Sequence, residues 1–339
     1  MKIKFAPYQP HCFAFGGFEL QMLSAFEAIQ ECGGLVSKLD PWERSDNFEI
    51  LHCWGLGLPH EENIYWAKRS QKKIVVTTLL PYYEFLNEKL RFLISSYFRK
   101  NYFLLKMSES VDAFIVLNDI QAEICHRYFK VPDKKIHIIP NIVNEKFFAN
   151  DSNDSLRHIF NEKHGLRNYV LTTGNVCTRK NQLNLAKACI QEGVRLVIVG
   201  KPLMGEDEYI LEMEKICLQQ PNIIWIKGLP ENSPELISAY MNCSVFALPS
   251  HIENQPICLL EAVVMRKPLL IADRAYARQS YYSNSCLVDP DDARSIAQGL
   301  KKIMNDPLAY TPSLDLVSEC NSKNIGKKYL RVYGQMMNT

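Results

Sequence analysis

Short runs of apolar residues alternate along the chain with stretches in which apolar residues recur at helical spacing. Such runs indicate buried strands, and their alternation with helices predicts repeated β-α units, parallel sheets and therefore an α/β fold. The predicted helices include Glu19–Cys32 and Leu183–Glu192. The predicted strands are Ile3–Ala6, Leu35–Leu39, Ile50–His52, Ile74–Thr77, Ala113–Leu117 and Ile136–Ile139 in the first half, and Tyr169–Thr172, Leu196–Val199, Ile223–Ile226, Val245–Leu248 and Pro268–Ile271 in the second.

The polar segment Asn150–Ser155 is the best candidate for a linker, because it separates two halves of comparable size. We expect Rossmann-like parallel-sheet domains over residues 1–150 and 151–310, followed over residues 311–339 by a lone helix at Asn321–Met337. Two such domains that face each other leave a cleft at the carboxyl ends of their strands. Ligands of open parallel sheets bind at those strand ends.

The composition is that of an ordinary globular protein, with 47% hydrophobic and 22% charged residues. A formal net charge of +2 argues against a nucleic-acid-binding protein, which would show a strong basic excess. The 11 cysteines are scattered singly, which favours reduced thiols over disulfides or a zinc site. The N-terminus lacks the apolar core of a signal peptide, and no apolar run reaches about 18 residues. We therefore expect a cytoplasmic protein.

Two glutamates, Glu253 and Glu261, flank the predicted junction of a strand, a loop and a helix. Pro256 suits the first turn of that helix, because its missing N–H costs nothing there. The free N–H groups of the helix start, from about Ile257 to Leu259, then lie between the acids and form a seat for phosphate. A nucleoside diphosphate sugar suits this arrangement, with one acid accepting from the ribose and the other from the sugar. Glutamates at this spacing also occur by chance, so the neighbouring motifs must decide.

Glycines and cations follow three of the strands predicted in the second half. Gly174 ends one strand, and Arg179 and Lys180 come just before the next helix. An arginine fork and a lysine point charge suit a diphosphate, although a basic pair in this place is often simply solvated. Gly200 and Gly228 close two further strands. Three glycines at the strand ends of one domain favour a site built from loops.

Near the N-terminus, Gly16 and Gly17 open the first predicted helix. Glycines there let the backbone approach a phosphate closely. The sequence is not the G-x-G-x-x-G fingerprint, so a plain dinucleotide site is not supported.

Together these elements resemble glycosyltransferase family 4, whose members are retaining GT-B enzymes that use nucleotide-sugar donors. The resemblance covers most of the chain and is strongest over residues 169–305. It implies the GT-B fold, in which two Rossmann-like domains face a cleft and the C-terminal helix crosses back to the first domain. The matching motifs are Gly16-Gly17, Ile139-Pro140-Asn141 at the domain junction, Gly174 with Arg179-Lys180-Asn181, and Glu253 and Glu261 with Pro268 after them.

The resemblance also implies roles for the matching residues. Arg179 and Lys180 should hold the diphosphate and stabilise the charge on the leaving group. Glu253 should bind the transferred sugar and Glu261 the ribose. The acceptor would attack from the face of the leaving group, so that no protein nucleophile is needed. The further residues predicted to bind the donor are Gly16, Gly17, Gly174, Gly200, Gly228, Asn254, Gln255, Pro256, Ile257 and Cys258.

Two departures from the family pattern leave the acceptor side open. Asn175 stands where many members have arginine, and no histidine follows the predicted strand Ile74–Thr77. Glu84, Tyr82 and His52 are candidates for acceptor binding, although a lone histidine at a strand end is more often structural.

The run Asp289-Pro290-Asp291-Asp292 contains an Asp-x-Asp pattern of the kind found in some metal sites. It directly precedes an amphipathic helical stretch, Ala293–Leu300, and aspartate is a preferred N-cap residue. We therefore predict helix capping, no bound metal and no cofactor, with the nucleotide sugar as co-substrate. The resemblance implies metal independence as well.

The segment Leu86–Met107 mixes aromatic with basic residues, and Arg91, Arg99 and Lys106 recur on one side of a predicted helix. A basic amphipathic helix can lie on an anionic membrane surface. A core helix with solvated charges is an equal alternative. Family members that build surface polysaccharides often use lipid-linked acceptors, so peripheral contact with the inner face of a membrane stays open.

The sequence thus predicts a retaining, metal-independent hexosyltransferase. It would move a sugar from a nucleoside diphosphate sugar to a glycan or lipid-linked acceptor in cell-surface polysaccharide or lipopolysaccharide biosynthesis. One alternative is a nucleotide-sugar 2-epimerase, which would need acid–base residues at the sugar and no second substrate. Another is a non-catalytic sugar-nucleotide-binding protein. The presence of both acids, Glu253 and Glu261, and both cations, Arg179 and Lys180, argues against this alternative.

Overall fold

The computed structural model describes residues 1–13, 15–78, 80, 106, 108–149 and 154–338. The chain divides into two compact units, one of Met1–Ile142 with Cys320–Thr339 and one of Val143–Glu319. The first unit thus ends ahead of the predicted boundary at residue 150. Most of the predicted linker, Asn150–Ser155, lies outside the described residues.

The first unit is built on a parallel sheet of six strands, which are β1 (Lys2–Ala6), β2 (Leu35–Lys38), β3 (Ile50–Trp54), β4 (Lys73–Thr77), β5 (Ala113–Val116) and β6 (Ile136–Ile138). Their order across the sheet is β2-β1-β3-β4-β5-β6. Every residue of β3 and β5 is buried, as expected for central strands that are covered on both faces. The described helices between the strands are α1 (Gly17–Glu31), α2 (Glu61–Arg69) and α3 (Asp119–Phe129).

The second unit has a parallel sheet of the same size, with β7 (Tyr169–Thr173), β8 (Leu196–Val199), β9 (Ile223–Ile226), β10 (Cys243–Leu248), β11 (Leu269–Ala272) and β12 (Cys286–Val288). Their order is β12-β11-β10-β7-β8-β9. Its helices are α4 (Glu145–Phe148), α5 (Asp154–His164), α6 (Gln182–Gln191), α7 (Asp207–Gln219), α8 (Pro234–Asn242), α9 (Ile257–Val264) and α10 (Ala293–Asn305). The apolar residues of the strands and of α6 and α10 form the core.

Each sheet contains one point at which the winding of the chain changes direction. In the second unit β7 lies between β8 and β10, which is the strand order of the Rossmann fold. In the first unit β1 lies between β2 and β3, as in flavodoxin-like sheets. Ligands of open parallel sheets bind outside the carboxyl ends of the strands at such a switch point. In the second unit, that position is where β7 and β10 end.

The chain ends in a helix, α11 (Ser322–Met337), that belongs to the first unit. Its residues Ile325, Tyr329 and Tyr333 are buried in the same core as the apolar side of α1. Gly326 lets the two helices approach closely, because a Cβ atom there would lie 2.3 Å from the carbonyl oxygen of Ala28. The α/β class, the two parallel sheets and the return of the C-terminal helix to the first domain are therefore confirmed.

Candidate active site

The two strands at the switch point of the second unit lead directly into the predicted site residues. β7 is followed by Gly174 and by a short 3-10 turn, Thr178–Lys180. β10 is followed by the loop that carries Glu253 and then by α9, which carries Glu261. The topology therefore brings Arg179, Lys180 and the two acids, which are far apart in sequence, to the same edge of the sheet.

Glu253 forms ion pairs with both cations of the 3-10 turn. Its Oε1 atom lies 2.7 Å from Nη1 of Arg179 and 2.7 Å from Nζ of Lys180. The Lys180 side chain is 9% exposed and that of Glu253 10%, whereas the Arg179 side chain is 45% exposed. Burial alone would raise the pKa of Glu253, but the charges of Lys180 and Arg179 outweigh it and hold this pKa below its usual value. The group is thus an ionised, partly desolvated cluster with one surplus positive charge.

Two glycines create the space for this cluster. Gly174 has a φ of +120°, and a Cβ atom there would lie 3.3 Å from Cε of Lys180. Gly200, which follows β8, faces the backbone of Gly174, and a Cβ atom would lie 1.8 Å from the Gly174 carbonyl oxygen. Gly228 follows β9 with a φ of +102° and packs against the stem of Lys201. The three predicted glycines therefore line adjacent strand ends, and the first two are required sterically.

Side chains that the sequence did not single out as binding residues hold the loops in place. Asn181 has a left-handed φ of +61° and donates from Nδ2 to the carbonyl oxygens of Pro249 (3.1 Å) and Pro290 (2.7 Å). The N–H of His251 donates to the carbonyl oxygen of Arg179 at 2.9 Å. These bonds tie the turn after β7 to the loop after β10. The motif Arg-Lys-Asn already contained Asn181, but only the fold shows what the amide contacts.

The loop before α9 is held from its other side. Gln279 donates from Nε2 to the carbonyl oxygen of Asn254 at 2.6 Å, and its Oε1 accepts from Gln255 Nε2 at 3.1 Å. Gln279 is buried, and nothing in its sequence context marks it as a site residue.

Helix α9 begins at Ile257, directly after Pro256. The N–H groups of Ile257 and Cys258 are the first of the helix and have no partner inside it. The Leu259 N–H already donates to the carbonyl oxygen of Pro256 at 3.1 Å. The predicted phosphate site therefore has fewer free N–H donors than expected, because the Leu259 N–H is already hydrogen-bonded.

Glu261 lies one turn further along α9 and is 8% exposed. Its Oε2 atom accepts a hydrogen bond of 2.7 Å from the hydroxyl of Tyr240 on α8. Burial raises the pKa of Glu261 to about 7, and the Tyr240 hydrogen bond offsets only part of that rise. The two acids therefore differ, because Glu253 is held ionised by cations whereas Glu261 titrates near neutral pH.

In the first unit, Gly16 and Gly17 lie at the start of α1, in the loop after β1. The Gly16 N–H donates to Oε2 of Glu19 at 2.8 Å, so that the chain's own carboxylate occupies this donor. Nothing lies within 4 Å of a Cβ atom built on Gly17. The phosphate contact that the resemblance implies for these glycines stays a prediction.

Of the three candidates for acceptor binding, His52 is the one that lies within the described residues. His52 is fully buried, with Nδ1 2.8 Å from the Tyr333 hydroxyl and Nε2 2.8 Å from the Thr77 hydroxyl. Burial lowers the pKa of His52 to about 3. This side chain links β3 to α11 and is structural, which corrects the prediction that it binds an acceptor. Glu84 and Tyr82 lie outside the described residues.

The Asp-x-Asp pattern is a helix cap, as predicted. Oδ1 of Asp292 accepts from the N–H of Arg294 at 2.9 Å at the start of α10. Among the residues that the structure describes, no group of three or more His, Cys, Asp or Glu side chains is arranged to hold a metal ion.

Part of the second unit is similar in sequence to a known family. Residues 156–319 match the model of the family Glycosyl transferases group 1. A curated relative from Escherichia coli, a UDP-Gal:alpha-D-GlcNAc-diphosphoundecaprenol alpha-1,3-galactosyltransferase, is 25% identical over 228 residues. The match covers 64% of this chain and 54% of that protein, so this chain spans about half the length of the relative.

Solved structures share the fold over nearly the entire chain. The Anabaena protein HepE, in complex with UDP, has a TM-score of 0.72 at 14% identity and covers 99% of this chain and 100% of its own. Sucrose-phosphate synthase from Thermosynechococcus elongatus has a TM-score of 0.73 at 16% identity, with 99% and 98% covered. Residues 156–319 therefore match the group 1 glycosyl transferases in sequence, and the chain as a whole has the GT-B fold.

Proposed function

We propose that the protein is a retaining glycosyltransferase that moves a sugar from a nucleoside diphosphate sugar to a glycan or lipid-linked acceptor. The observation that carries this proposal is the cluster of Arg179, Lys180 and Glu253, which lies beside the start of α9 at the switch point of the second sheet. A cluster with surplus positive charge next to free helix N–H groups suits a diphosphate.

The donor would engage this site through three kinds of group. Arg179 and Lys180 would hold the diphosphate oxygens, helped by the N–H groups of Ile257 and Cys258. Glu253 would accept hydrogen bonds from the sugar, and Glu261 from the ribose. Glu253 already contacts both cations, so the bound sugar would lie against the same carboxylate that orients them.

In the chemical step the bond between the anomeric carbon and the diphosphate oxygen breaks, and a bond forms from that carbon to an acceptor hydroxyl oxygen on the same face. The hydroxyl proton passes to an oxygen of the departing diphosphate. Negative charge grows on that leaving group, and the two fixed cations stabilise it more in the transition state than in the ground state. Neither a protein nucleophile nor a metal ion is required in this scheme.

The acceptor is proposed from the relative's chemistry. The Escherichia coli protein acts on a sugar carried by diphosphoundecaprenol, a lipid. A lipid-linked acceptor would place this chain in cell-surface polysaccharide or lipopolysaccharide assembly, at the inner face of a membrane. None of the helices within the described residues is long and apolar enough to cross a membrane. The basic segment Leu86–Met107 lies almost wholly outside those residues, so its membrane contact stays a proposal.

The test is donor turnover by the full chain in the presence of EDTA. A panel of UDP-, GDP- and ADP-sugars is incubated with the protein, and free nucleoside diphosphate is measured with and without undecaprenyl-diphosphate-linked acceptor sugars. We expect release by the wild type, and a loss of about 100-fold or more for Lys180→Ala and Glu253→Ala. The matched control is Lys187→Ala, which removes a lysine from an exposed pair with Glu212 on the same unit.

Each alternative function predicts a different result. A 2-epimerase would convert the sugar nucleotide into its epimer without releasing nucleoside diphosphate. A non-catalytic binding protein would bind the nucleotide but turn over neither donor nor acceptor. Turnover that requires an added divalent cation would contradict the proposed metal independence but not the proposed glycosyl transfer.

A further inference from the structure

The hydroxyl of Tyr240 contacts one oxygen of the Glu261 carboxylate. This hydroxyl is 2.7 Å from Oε2 of Glu261 and 2.8 Å from Oγ1 of Thr173, the last residue of β7. A phenol has one proton, and an ionised carboxylate only accepts hydrogen bonds. When Glu261 is ionised, Tyr240 therefore donates to it and accepts from the Thr173 hydroxyl.

The phenol ring is held rigidly in this position. Tyr240 is fully buried, and its ring stacks on that of Phe246 with centroids 5.3 Å apart and an interplanar angle of 9°. The ring of Phe147 packs edge-on from another side, at 5.4 Å and 87°. Since the ring is fixed by strand β10 and helix α4, the hydroxyl position is fixed too, and the hydrogen bond fixes the rotation of the Glu261 carboxylate.

The other carboxylate oxygen has a different environment. Oε1 of Glu261 receives no hydrogen bond from any residue that the structure describes, although the side chain is almost wholly buried. Oε1 is not one of the buried side-chain atoms that lack a partner, so solvent reaches it and a ligand donor can too. Oε1 is therefore the atom available to a bound ligand, and Tyr240 determines where it points.

We propose that Tyr240 is a positioning residue that aims Oε1 of Glu261 at a ribose hydroxyl and thereby makes the site prefer ribonucleotides to deoxyribonucleotides. This inference rests on the proposed function, since it takes the ligand to be a nucleoside diphosphate. A deoxyribose leaves Oε1 unpaired, and sites built to accept from a hydroxyl reject analogues that lack it. A carboxylate that is free to rotate would discriminate less. It would lose rotational freedom when it binds the ribose hydroxyl, and it could turn towards solvent when the hydroxyl is missing.

The experiment measures binding of UDP, 2′-deoxy-UDP and 3′-deoxy-UDP to the full chain by calorimetry. We expect the wild type to bind UDP about tenfold more tightly than at least one deoxy analogue. Tyr240→Phe removes only the hydroxyl and should weaken UDP binding by about tenfold while it changes binding of that analogue by less than about twofold. The ratio of the two affinities would then fall towards one.

The matched control is Tyr169→Phe. Tyr169 is also buried in this unit, and its hydroxyl donates to the carbonyl oxygen of Ala239 at 2.7 Å, but it begins β7 whereas Thr173 ends it. This variant should leave the affinity ratio unchanged.

If Tyr240→Phe does not fold, Thr173→Val removes the second hydroxyl of the network, and we expect about a threefold fall in the ratio of the affinities for UDP and the deoxy analogue.

A Tyr240→Phe protein that keeps the wild-type ratio overturns the inference, as does one that loses affinity equally for UDP and both deoxy analogues. A Thr173→Val ratio equal to that of the wild type counts against it in the same way. These outcomes differ from failure of the proposed function, in which the wild type would bind none of UDP, GDP and ADP.

Discussion

The carboxylate of Glu253 is the counter-ion of two cations. Lys180 is 8% exposed, so without Glu253 its charge would be buried and unpaired. A diphosphate brings its own negative charge to the same two side chains. In the proposed complex, Glu253 would therefore compete with the phosphate for Arg179 and Lys180, in addition to binding the sugar.

This competition predicts that binding and turnover respond in opposite directions to Glu253→Gln. We expect affinity for UDP alone to stay the same or to rise a few-fold, because the cations lose their internal partner. We expect turnover of the sugar nucleotide to fall by about 100-fold. Calorimetry and a nucleotide-release assay measure the two quantities. The matched control is Glu206→Gln, since Glu206 accepts from Thr178 on the same turn but contacts neither cation. A parallel loss of UDP affinity and turnover would contradict the competition.

The pKa of Glu261 predicts a pH dependence for nucleotide binding. In the proposed complex a ribose hydroxyl would donate to the ionised carboxylate, so binding would release a proton and the affinity should rise with pH. With a pKa of about 7, the ionised fraction increases from about one-tenth at pH 6 to about nine-tenths at pH 8, and the affinity for UDP should increase by about tenfold. The titratable groups that face Glu261 are Tyr240 and Cys258, and burial raises the pKa of Cys258 to about 11 and that of Tyr240 well above its usual value.

Calorimetry at pH 6, 7 and 8 measures this dependence. The diphosphate itself takes up protons near pH 6, and Glu261→Gln retains that contribution but lacks the carboxyl group. The tenfold increase should therefore be absent from Glu261→Gln after this correction. Equal pH profiles in the two proteins would show that Glu261 does not contact the ribose.

The site residues differ in how far the sequence could reveal them. Arg179, Lys180 and Glu253 are polar residues in a recognisable order, and the fold places Oε1 of Glu253 2.7 Å from a nitrogen of each cation. Tyr240 could not be found in this way, because it lies on the buried side of an amphipathic helix and reads as a core residue. His52 shows the opposite case, since a histidine at a strand end looks functional until its burial is known.

At the scale of the elements, each predicted strand is present in the structure, and its ends differ from the predicted ones by at most two residues. Apolar runs such as Leu196–Val199 were recognised because central parallel strands are buried on both faces. β12 was not predicted, because it has only three residues and its middle residue, Leu287, is 47% exposed. The sequence pattern therefore identified eleven of the twelve described strands and missed one edge strand of the second sheet.

The close approach of the turns after β7 and β8 predicts the effect of Gly200→Ala. The new Cβ atom would overlap the carbonyl oxygen of Gly174, so the two turns must separate and Lys180 must move. We expect the free energy of unfolding to fall by about 1–3 kcal/mol and UDP binding to weaken. Denaturant unfolding and calorimetry measure the two effects. Gly200→Ala with wild-type stability and UDP affinity would show that the turns can move apart without cost.

At the scale of the molecule, the boundary between the units follows the packing and not the polar composition. Val143 and Phe147 are buried, and Phe147 packs against Tyr240 inside the second unit. The polar run Asn150–Ser155, which the sequence pattern marks as a linker, lies mostly outside the described residues, and its last two residues belong to α5. The chain therefore enters the second unit before the polar segment begins.

The return of α11 to the first unit predicts opposite effects for two glycine substitutions in one helix. In Gly326→Ala the Cβ atom would lie 2.3 Å from the Ala28 carbonyl oxygen and 2.8 Å from the Cys32 sulfur, which forces α11 away from α1. We expect a loss of about 1–3 kcal/mol in the free energy of unfolding of the first unit. Gly334→Ala has nothing within 4 Å of its Cβ atom and should stabilise the helix by about 0.5–1 kcal/mol.

Hydrogen exchange distinguishes the two variants by location. In Gly326→Ala the amides of α1 and α11 should exchange faster while those of β7 to β12 keep their protection, because only the first unit contains the strained contact. Gly334→Ala should exchange like the wild type or more slowly. If α11 contributed nothing to the first unit, Gly326→Ala would leave the protection of α1 unchanged, since the substitution would then only replace a helical glycine by a better helix former.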